Sequence, residues 1–377
     1  MMKQVLILGA GFGGLELAAR LSADLSDRVE VTLIDQNDSF VFGFSKFDIM
    51  TGHSSAGALR SYYRDITKKG VRFRQERVTS IDPGRRQVAT DRGTYQSDIL
   101  VVALGADLDP AATPGFVEGG HEFYSVAGAE QLEPVLASFT SGKIVVGVLG
   151  EPFKCPPAPS EAGFVLHDYF QNRGLRSAVS IRVICPFGSP VPVSAAASDA
   201  ILRGFAERSI EFLPGRLVTS LDPAAKIAMV KGGPNVSYDL FLGVPVHRVP
   251  AVVAASGLAV NGWIPVNPAN LATRFPNVYA VGDVTSAPVP KAGVFAESAA
   301  KAVAADIATR LRGGAPAAAY DGSGTCYVEL GDGRVGRVDA NFLTGRSPTG
   351  PFFGPSLELA GEKAAFAATR RRRWFRG

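Results

Sequence analysis

The sequence predicts an α/β protein with two parallel βαβ units and a small C-terminal α+β region, and three observations predict it. A glycine-rich turn, Gly9-Ala10-Gly11-Phe12-Gly13-Gly14, follows an apolar strand at residues 5–8 and opens a helical pattern at 13–22. A second strand at 29–34 ends on Asp35, about twenty residues on. A second strand–helix–strand pattern occurs at 143–149, 160–173 and 179–185. Far downstream, residues 277–283 (NVYAVGD) read as a strand that returns to the first unit. The chain therefore divides into two Rossmann-like units, the first discontinuous (1–110 and 255–312), the second at 111–254, and a C-terminal region at 313–377.

Taken in order, the run at 97–105 (SDILVVALG) is a further buried strand of the first unit. In the second unit, Ser160 reads as the helix N-cap with Glu161 as its first-turn acid, and Gly174 closes the helix. A helix at about 293–311 follows the returning strand, and the Gly/Pro/Ala stretch at 313–319 reads as a linker into a strand-rich tail. A last helix at 357–373 runs into Trp374 and Phe375. No internal repeat of fixed period is present.

Composition narrows the function. A chain of 377 residues exceeds one ordinary domain, and 46% hydrophobic against 20% charged residues suits a globular protein with a large core. A net charge of +4 is too small for a nucleic-acid binder. The positive excess is concentrated at Arg370, Arg371, Arg372, Arg373 and Arg376. Met1-Met2-Lys3 runs directly into the first strand without a signal-like apolar region, and no run of about 18 apolar residues occurs, so a cytoplasmic location is expected. Three cysteines do not make a disulfide scaffold there, and any disulfide should be catalytic rather than structural. His53, His121, His167 and His247 show no ligand spacing, so no metal site is expected.

The glycine turn carries a specific physics. Gly9 permits the tight turn, Gly11 lets backbone reach a pyrophosphate, Gly14 allows close helix packing, and the helix N-terminus offers free N–H groups to phosphate. Asp35 is placed to accept from ribose hydroxyls. Two distant segments choose the nucleotide. Residues 102–105 (VALG) stand where two-dinucleotide-fold flavoproteins carry an Ala-Thr-Gly turn, Leu104 replacing the threonine, and 273–283 (TRFPNVYAVGD) resembles their second flavin motif, by which Asp283 contacts the ribityl chain. FAD is the implied cofactor, held by Gly9, Gly11, Phe12, Gly13, Gly14, Asp35, Gln36, Val78, Ala103, Gly105, Gly282, Asp283, Lys291 and Gly293. The corresponding turn of the second unit, residues 147–159, instead carries Glu151 and four prolines, which remove N–H donors where a nicotinamide dinucleotide would need them.

That turn offers Cys155, beside Lys154 and just before a helix N-terminus, both of which are expected to favour thiolate. Residues 154–161 (KCPPAPSE), 324–327 (GTCY) and 290–297 (PKAGVFAE) closely resemble the flavoprotein sulfide dehydrogenases: the sulfide:quinone oxidoreductases and the flavin subunit of flavocytochrome c. The resemblance covers nearly the whole chain. It implies that Cys155 and Cys326 form a redox disulfide beside the flavin, which sulfide or a sulfane-sulfur donor attacks, with a quinone as final acceptor. Glu161 is the candidate proton acceptor. Lys291 is the candidate positive charge near the reduced flavin, helped by the helix start at Gly293. Cys185 ends a strand and should pack in the core.

Two other readings compete: an NAD(P)H-dependent flavin reductase resembling type II NADH dehydrogenases, and a flavin redox sensor without turnover. The Arg-rich tail with Trp374 and Phe375 suits peripheral contact with an anionic membrane, or equally a solvated helix end whose arginines complement the dipole. Phe342, Phe352 and Phe353 either line a quinone entrance or pack the C-terminal region.

Overall fold

The computed structural model describes residues 2–313, 315 and 317–376. Along the chain run β1 (Lys3–Leu8), α1 (Phe12–Leu25), β2 (Val29–Asp35), β3 (Val71–Gln75) and β4 (Ile99–Val102). Then come β5 (His121–Glu122), β6 (Gly142–Val148), α2 (Ala158–Asn172), β7 (Val179–Ile184), β8 (Ile210–Leu213) and β9 (Leu240–Val244). The chain continues through β10 (Val278–Ala280), α3 (Gly293–Arg312), β11 (Ser323–Glu329), β12 (Val335–Asn341), β13 (Phe352–Ser356) and α4 (Leu357–Phe375).

Two parallel sheets organise the molecule, in the orders β10-β4-β1-β2-β3 and β5-β9-β6-β7-β8. The apolar centre of each is buried on both faces, as parallel strands require: Ile7, Leu33, Val101, Val146 and Leu242 are all fully inaccessible. In the first sheet Leu8 pairs with Ile34 on one side and Val102 on the other, so the order reverses at β1 and a crevice opens beyond its C-terminal end. The returning strand pairs Ala280 with Val102, which makes the first sheet discontinuous in sequence. The division at 110/111, 254/255 and 312/313 is our proposed domain assignment. Small antiparallel sheets at 78–96 and 217–237, which the sequence pattern did not announce, cover the flanks.

The glycine turn obeys close-approach sterics. Gly9 has φ +97°, and a Cβ there would stand 2.3 Å from the Ala103 carbonyl oxygen. A Cβ on Gly14 would meet the Gly9 oxygen at 1.9 Å, so α1 can seat against the turn only with glycine at this position.

The C-terminal sheet β11-β12-β13 and α4 bridge the two units. Val328, Leu330 and Val338 join the core around β6 and α2, whereas Phe366, Trp374 and Phe375 join that around β1 and α1. Of the expected linker at 313–319, residues 314 and 316 lie outside the described residues. One cap differs from expectation. α2 begins at Ala158 with Pro157 at its N-cap, and Ser160 lies inside the first turn, because Pro157 and Pro159 supply the fixed φ that starts a helix without a capping side chain.

Gly14→Ala is expected to lose about 2 kcal/mol or more of stability and much of the bound flavin, read from thermal unfolding and the flavin absorption of purified protein.

Candidate active site

The dinucleotide turn and both motif cysteines line one cavity of about 1030 Å³. Gly9, Gly11, Phe12, Gly13, Asp35, Gln36, Val78, Ala103, Gly105, Gly282, Asp283 and Gly293 face it, as do Cys155, Glu161 and Cys326. Gly14 lies behind the turn, where it packs the helix. At the turn, Ala10 N–H donates to Asp35 Oδ2 at 2.7 Å, and Asn37 N–H to Asp35 Oδ1 at 2.9 Å. A Cβ on Gly11 would have nothing within 4 Å, so the backbone there borders open space beside the N-terminus of α1. These residues fit a dinucleotide: a cradle of small residues, free N–H groups, and a carboxylate positioned at the end of β2.

The cysteines reach this cavity from distant segments of the chain. Cys155 sits at φ +53°, a left-handed conformation unusual for a residue with a side chain, and its N–H donates to the Lys291 carbonyl at 2.7 Å. That bond, with a bridge between Lys154 and Lys291, fastens the β6–α2 turn to the segment preceding α3. Cys326 lies on β11 opposite Val338. Both are free thiols in this structure, and the charge of one thiolate would be felt by the other. Burial pushes Cys155 well above the ordinary thiol value, with Glu161 and Cys326 adding to the rise, and pushes Cys326 up to about 12.

Glu161 is 3% exposed. Its Oε2 lies 4.0 Å from Cys155 Sγ and its Oε1 accepts the Glu329 N–H at 3.0 Å. Burial raises its pKa to about 7, against the pull of Lys363 and the Glu329 N–H. A carboxyl poised near neutrality beside a thiol is suited to take up and release a proton.

Two lysines differ from the sequence reading. Lys154 does not support the Cys155 thiolate: the left-handed turn at Cys155 parts the neighbouring side chains, and Lys154 Nζ donates to Ala106 O at 2.9 Å while facing Asp283, Asp107 and Glu122. Lys291 does not face the cavity. Its ammonium donates to the carbonyl oxygens of Asp283 at 2.6 Å and Thr285 at 3.1 Å and lies 3.4 Å from the Trp263 ring centroid. Lys291 thus braces the backbone around Asp283 with its ammonium turned away from the cavity. Cations that do favour the Cys155 thiolate are Lys46 and Lys363 of α4, the latter 7% exposed, paired with Glu329 and lying 4.8 Å from the Phe44 ring centroid.

Sequence reasoning also missed Lys46, whose pKa burial and Lys154 lower to about 8, and Tyr124, both of which line the cavity. Lys46 donates to the Tyr124 carbonyl, and the Tyr124 hydroxyl is buried without a hydrogen-bond partner among the described residues. No spacing rule would have found either. Phe342 packs on Phe295 and Phe352 packs against the core, while Phe353 is 44% exposed beneath Arg337. Aromatic rings on the cavity wall come from other segments, among them Phe44, Phe47, Phe123, Tyr327 and Phe366 beside Phe12, Phe40, Tyr63 and Tyr124. Cys185 is 2% exposed and packs in the core as expected.

The 147–159 turn of the second sheet differs from the glycine turn of the first. Phe153, 2% exposed, stacks on Phe187 at 5.4 Å, and the Glu161 carboxyl occupies the first turn of α2 where a pyrophosphate would need unopposed N–H groups.

Fold and site define a flavoprotein oxidoreductase with two dinucleotide-binding units and FAD as cofactor. Residues 3–148 match the family model described as "Pyridine nucleotide-disulphide oxidoreductase". The mitochondrial sulfide:quinone oxidoreductase of Mus musculus is 24% identical over 364 residues, covering 93% of this chain and 80% of its own. The crystal structure of the sulfide:quinone oxidoreductase from Aquifex aeolicus superposes with a TM-score of 0.87 at 23% identity, covering 99% of this chain and 92% of that one. A type II NADH:quinone oxidoreductase of Staphylococcus epidermidis is 32% identical over 154 residues, 37% of each chain. The likeness to sulfide:quinone oxidoreductases runs over most of the chain, and that to the type II NADH:quinone oxidoreductase over little more than a third of it.

With the cysteines chemically reduced, alkylation of Cys155 by iodoacetamide is expected to be slow at neutral pH and to accelerate steeply in alkali. Lys363→Met should slow it a further roughly tenfold at fixed pH, equivalent to about one pKa unit of thiolate, and Lys363→Arg should not.

Proposed function

We propose that this enzyme oxidises sulfide, or a sulfane-sulfur donor, through a Cys155–Cys326 redox pair and delivers the electrons by way of FAD to a quinone. The observation that carries the reading is the convergence of both cysteines, from distant segments, on the cavity that holds the dinucleotide turn.

The chemistry follows from the residues. With the pair oxidised, hydrosulfide attacks one sulfur, forming an S–S bond to that cysteine as the bond between the cysteines breaks and the other departs as thiolate. A second hydrosulfide displaces the outer sulfur as hydrogen disulfide and leaves both cysteines reduced. Closing the Cys155–Cys326 bond again gives up two electrons and the thiol protons. Bound FAD supplies a two-electron acceptor at this point. Glu161, 4.0 Å from Cys155, takes up the proton. Burial of the pair keeps the reduced form protonated, so proton removal by Glu161 is coupled to each turnover.

Asp283 and Asp35 are the proposed ribityl and ribose contacts. The prolines of the 147–159 turn and the first-turn carboxylate of Glu161 support a donor other than NAD(P)H, in spite of the likeness to a type II NADH dehydrogenase. Among the described residues no helix is long and apolar enough to cross a membrane. Trp374 and Phe375, 1% and 6% exposed, cannot enter a lipid surface from this conformation, so peripheral contact would fall to exposed residues such as Arg372 and Arg376.

Anaerobic mixing with sulfide should bleach the flavin, and Cys155→Ser or Cys326→Ser should each slow bleaching by on the order of a thousandfold or more, measured by stopped flow. Rapid bleaching by NADH with none by sulfide would overturn the reading, and a wild type that turns over neither would favour a sensor. The rate should rise with pH through about 7 as Glu161 ionises and becomes able to accept a proton. Glu161→Gln removes that limb. Sulfide's own ionisation is common to both proteins, so the ratio of the two rates is the quantity to read.

A further inference from the structure

We propose that Trp374 and Phe375 are positioning residues for the cofactor: the last turn of α4 latches the dinucleotide loop into its binding shape. These residues lie more than 300 positions from the glycine turn in sequence, yet Trp374 touches it directly and Phe375 acts on it through one intermediary, Tyr63.

Trp374 meets Phe12, which follows Gly11 in the turn, edge-on at 5.4 Å between ring centroids. On another side, a Cβ at Gly293 would stand 2.6 Å from the same Phe12 ring, so the ring is held between the start of α3 and the indole. Phe40 and Phe42 close the cluster around Trp374 at 5.6 and 6.0 Å. Phe375 stacks on Tyr63 at 6.3 Å with planes 4° apart, and the Tyr63 hydroxyl donates to the Ala10 carbonyl, also in the turn, at 2.9 Å. The Phe375 carbonyl accepts the Thr67 N–H at 2.9 Å, which fixes the segment carrying Tyr63.

Buried charge holds the latch shut. Glu16 on α1 is 0% exposed and Glu297 on α3 is 2% exposed. Glu16 accepts the Trp374 indole N–H at 2.7 Å and pairs with Arg373 at 2.6 Å. Glu297 pairs with Arg373 at 2.8 Å and Arg370 at 3.1 Å. If the tail lifts, Glu16 keeps Arg20 and Glu297 keeps Lys301 on its own helix, but both lose their tail partners, so the open state is disfavoured. Arg370, Arg373 and both aromatics of the tail are thus engaged with the protein's own first unit. Because Phe12 and Ala10 belong to the phosphate-facing loop, fixing them lowers the ordering cost of binding FAD.

The test is FAD release from full-length holoenzyme, followed by flavin fluorescence after dilution, with the urea unfolding midpoint measured alongside. Trp374→Ala should release FAD about tenfold faster or more, equivalent to roughly 1.4 kcal/mol. Trp374→Phe, which keeps a ring against Phe12, should recover most of the loss. Tyr63→Phe, which removes only the hydroxyl contact with Ala10, should also speed release while leaving the midpoint near wild type, and it carries the test if Trp374→Ala does not fold. Arg372→Ala, at an exposed position, should behave as wild type. Wild-type release from both Trp374→Ala and Tyr63→Phe, or a lowered midpoint in Trp374→Ala with Tyr63→Phe retaining FAD normally, would reduce the tail to a general stabiliser and overturn the proposal.

Discussion

A short stretch of paired backbone, Lys154 alongside Lys291 with the Cys155 N–H on the Lys291 carbonyl, joins the two halves of the site. Everything chemical here depends on it. The β6–α2 turn belongs to the second sheet and the Lys291 segment leads into the helix behind the first, so this pairing sets how the two units meet. It also forces Cys155 into a left-handed conformation, which only a position over-determined by its surroundings sustains. With the turn fixed there, Cys155 faces the dinucleotide cavity and β11 brings Cys326 to the same space.

The electrostatics of that space are those of a sulfur centre kept dry. Burial outweighs the nearby cations, so both reduced thiols hold their protons at neutral pH. A buried thiol is a poor nucleophile on its own, and the structure answers with Glu161, raised to about 7, and with Lys363, which favours the charged forms of both Cys155 and Glu161. The C-terminal helix therefore serves the site twice, through Lys363 at its middle and through the aromatic residues at its end. Two of its arginines, Arg370 and Arg373, complete buried ion pairs with Glu16 and Glu297, while Arg372 and Arg376 stay exposed.

Local features were the legible ones. The glycine turn, Asp35 and the returning strand at β10 follow from sterics and periodicity that operate over a few residues, and they lie where the pattern put them. The cysteine motifs were legible through resemblance rather than spacing, since nothing in their separation of 171 positions implies contact. The lysines misled for a stated reason. Lys154 is adjacent to Cys155 in sequence, but the positive φ turns it toward Ala106, and Lys291 is adjacent to Gly293 but turns to the carbonyls of Asp283 and Thr285. Lys46, Tyr124 and Lys363 come from three separate segments and carry no motif, so only tertiary structure assembles them. The tail was ambiguous because arginines beside aromatics describe an interface without saying whether lipid or protein lies on its other side.

The central claim is that Cys155 and Cys326 act as one redox couple. The direct measurement is a peptide map of oxidised holoenzyme, alkylated without reductant and digested, before and after a limited pulse of sulfide. The account predicts a Cys155–Cys326 linked peptide beforehand and, after the pulse, a peptide carrying one added sulfur on one of the two cysteines. Full, independent alkylation of both residues in the oxidised enzyme, with neither crosslink nor added sulfur, would contradict it.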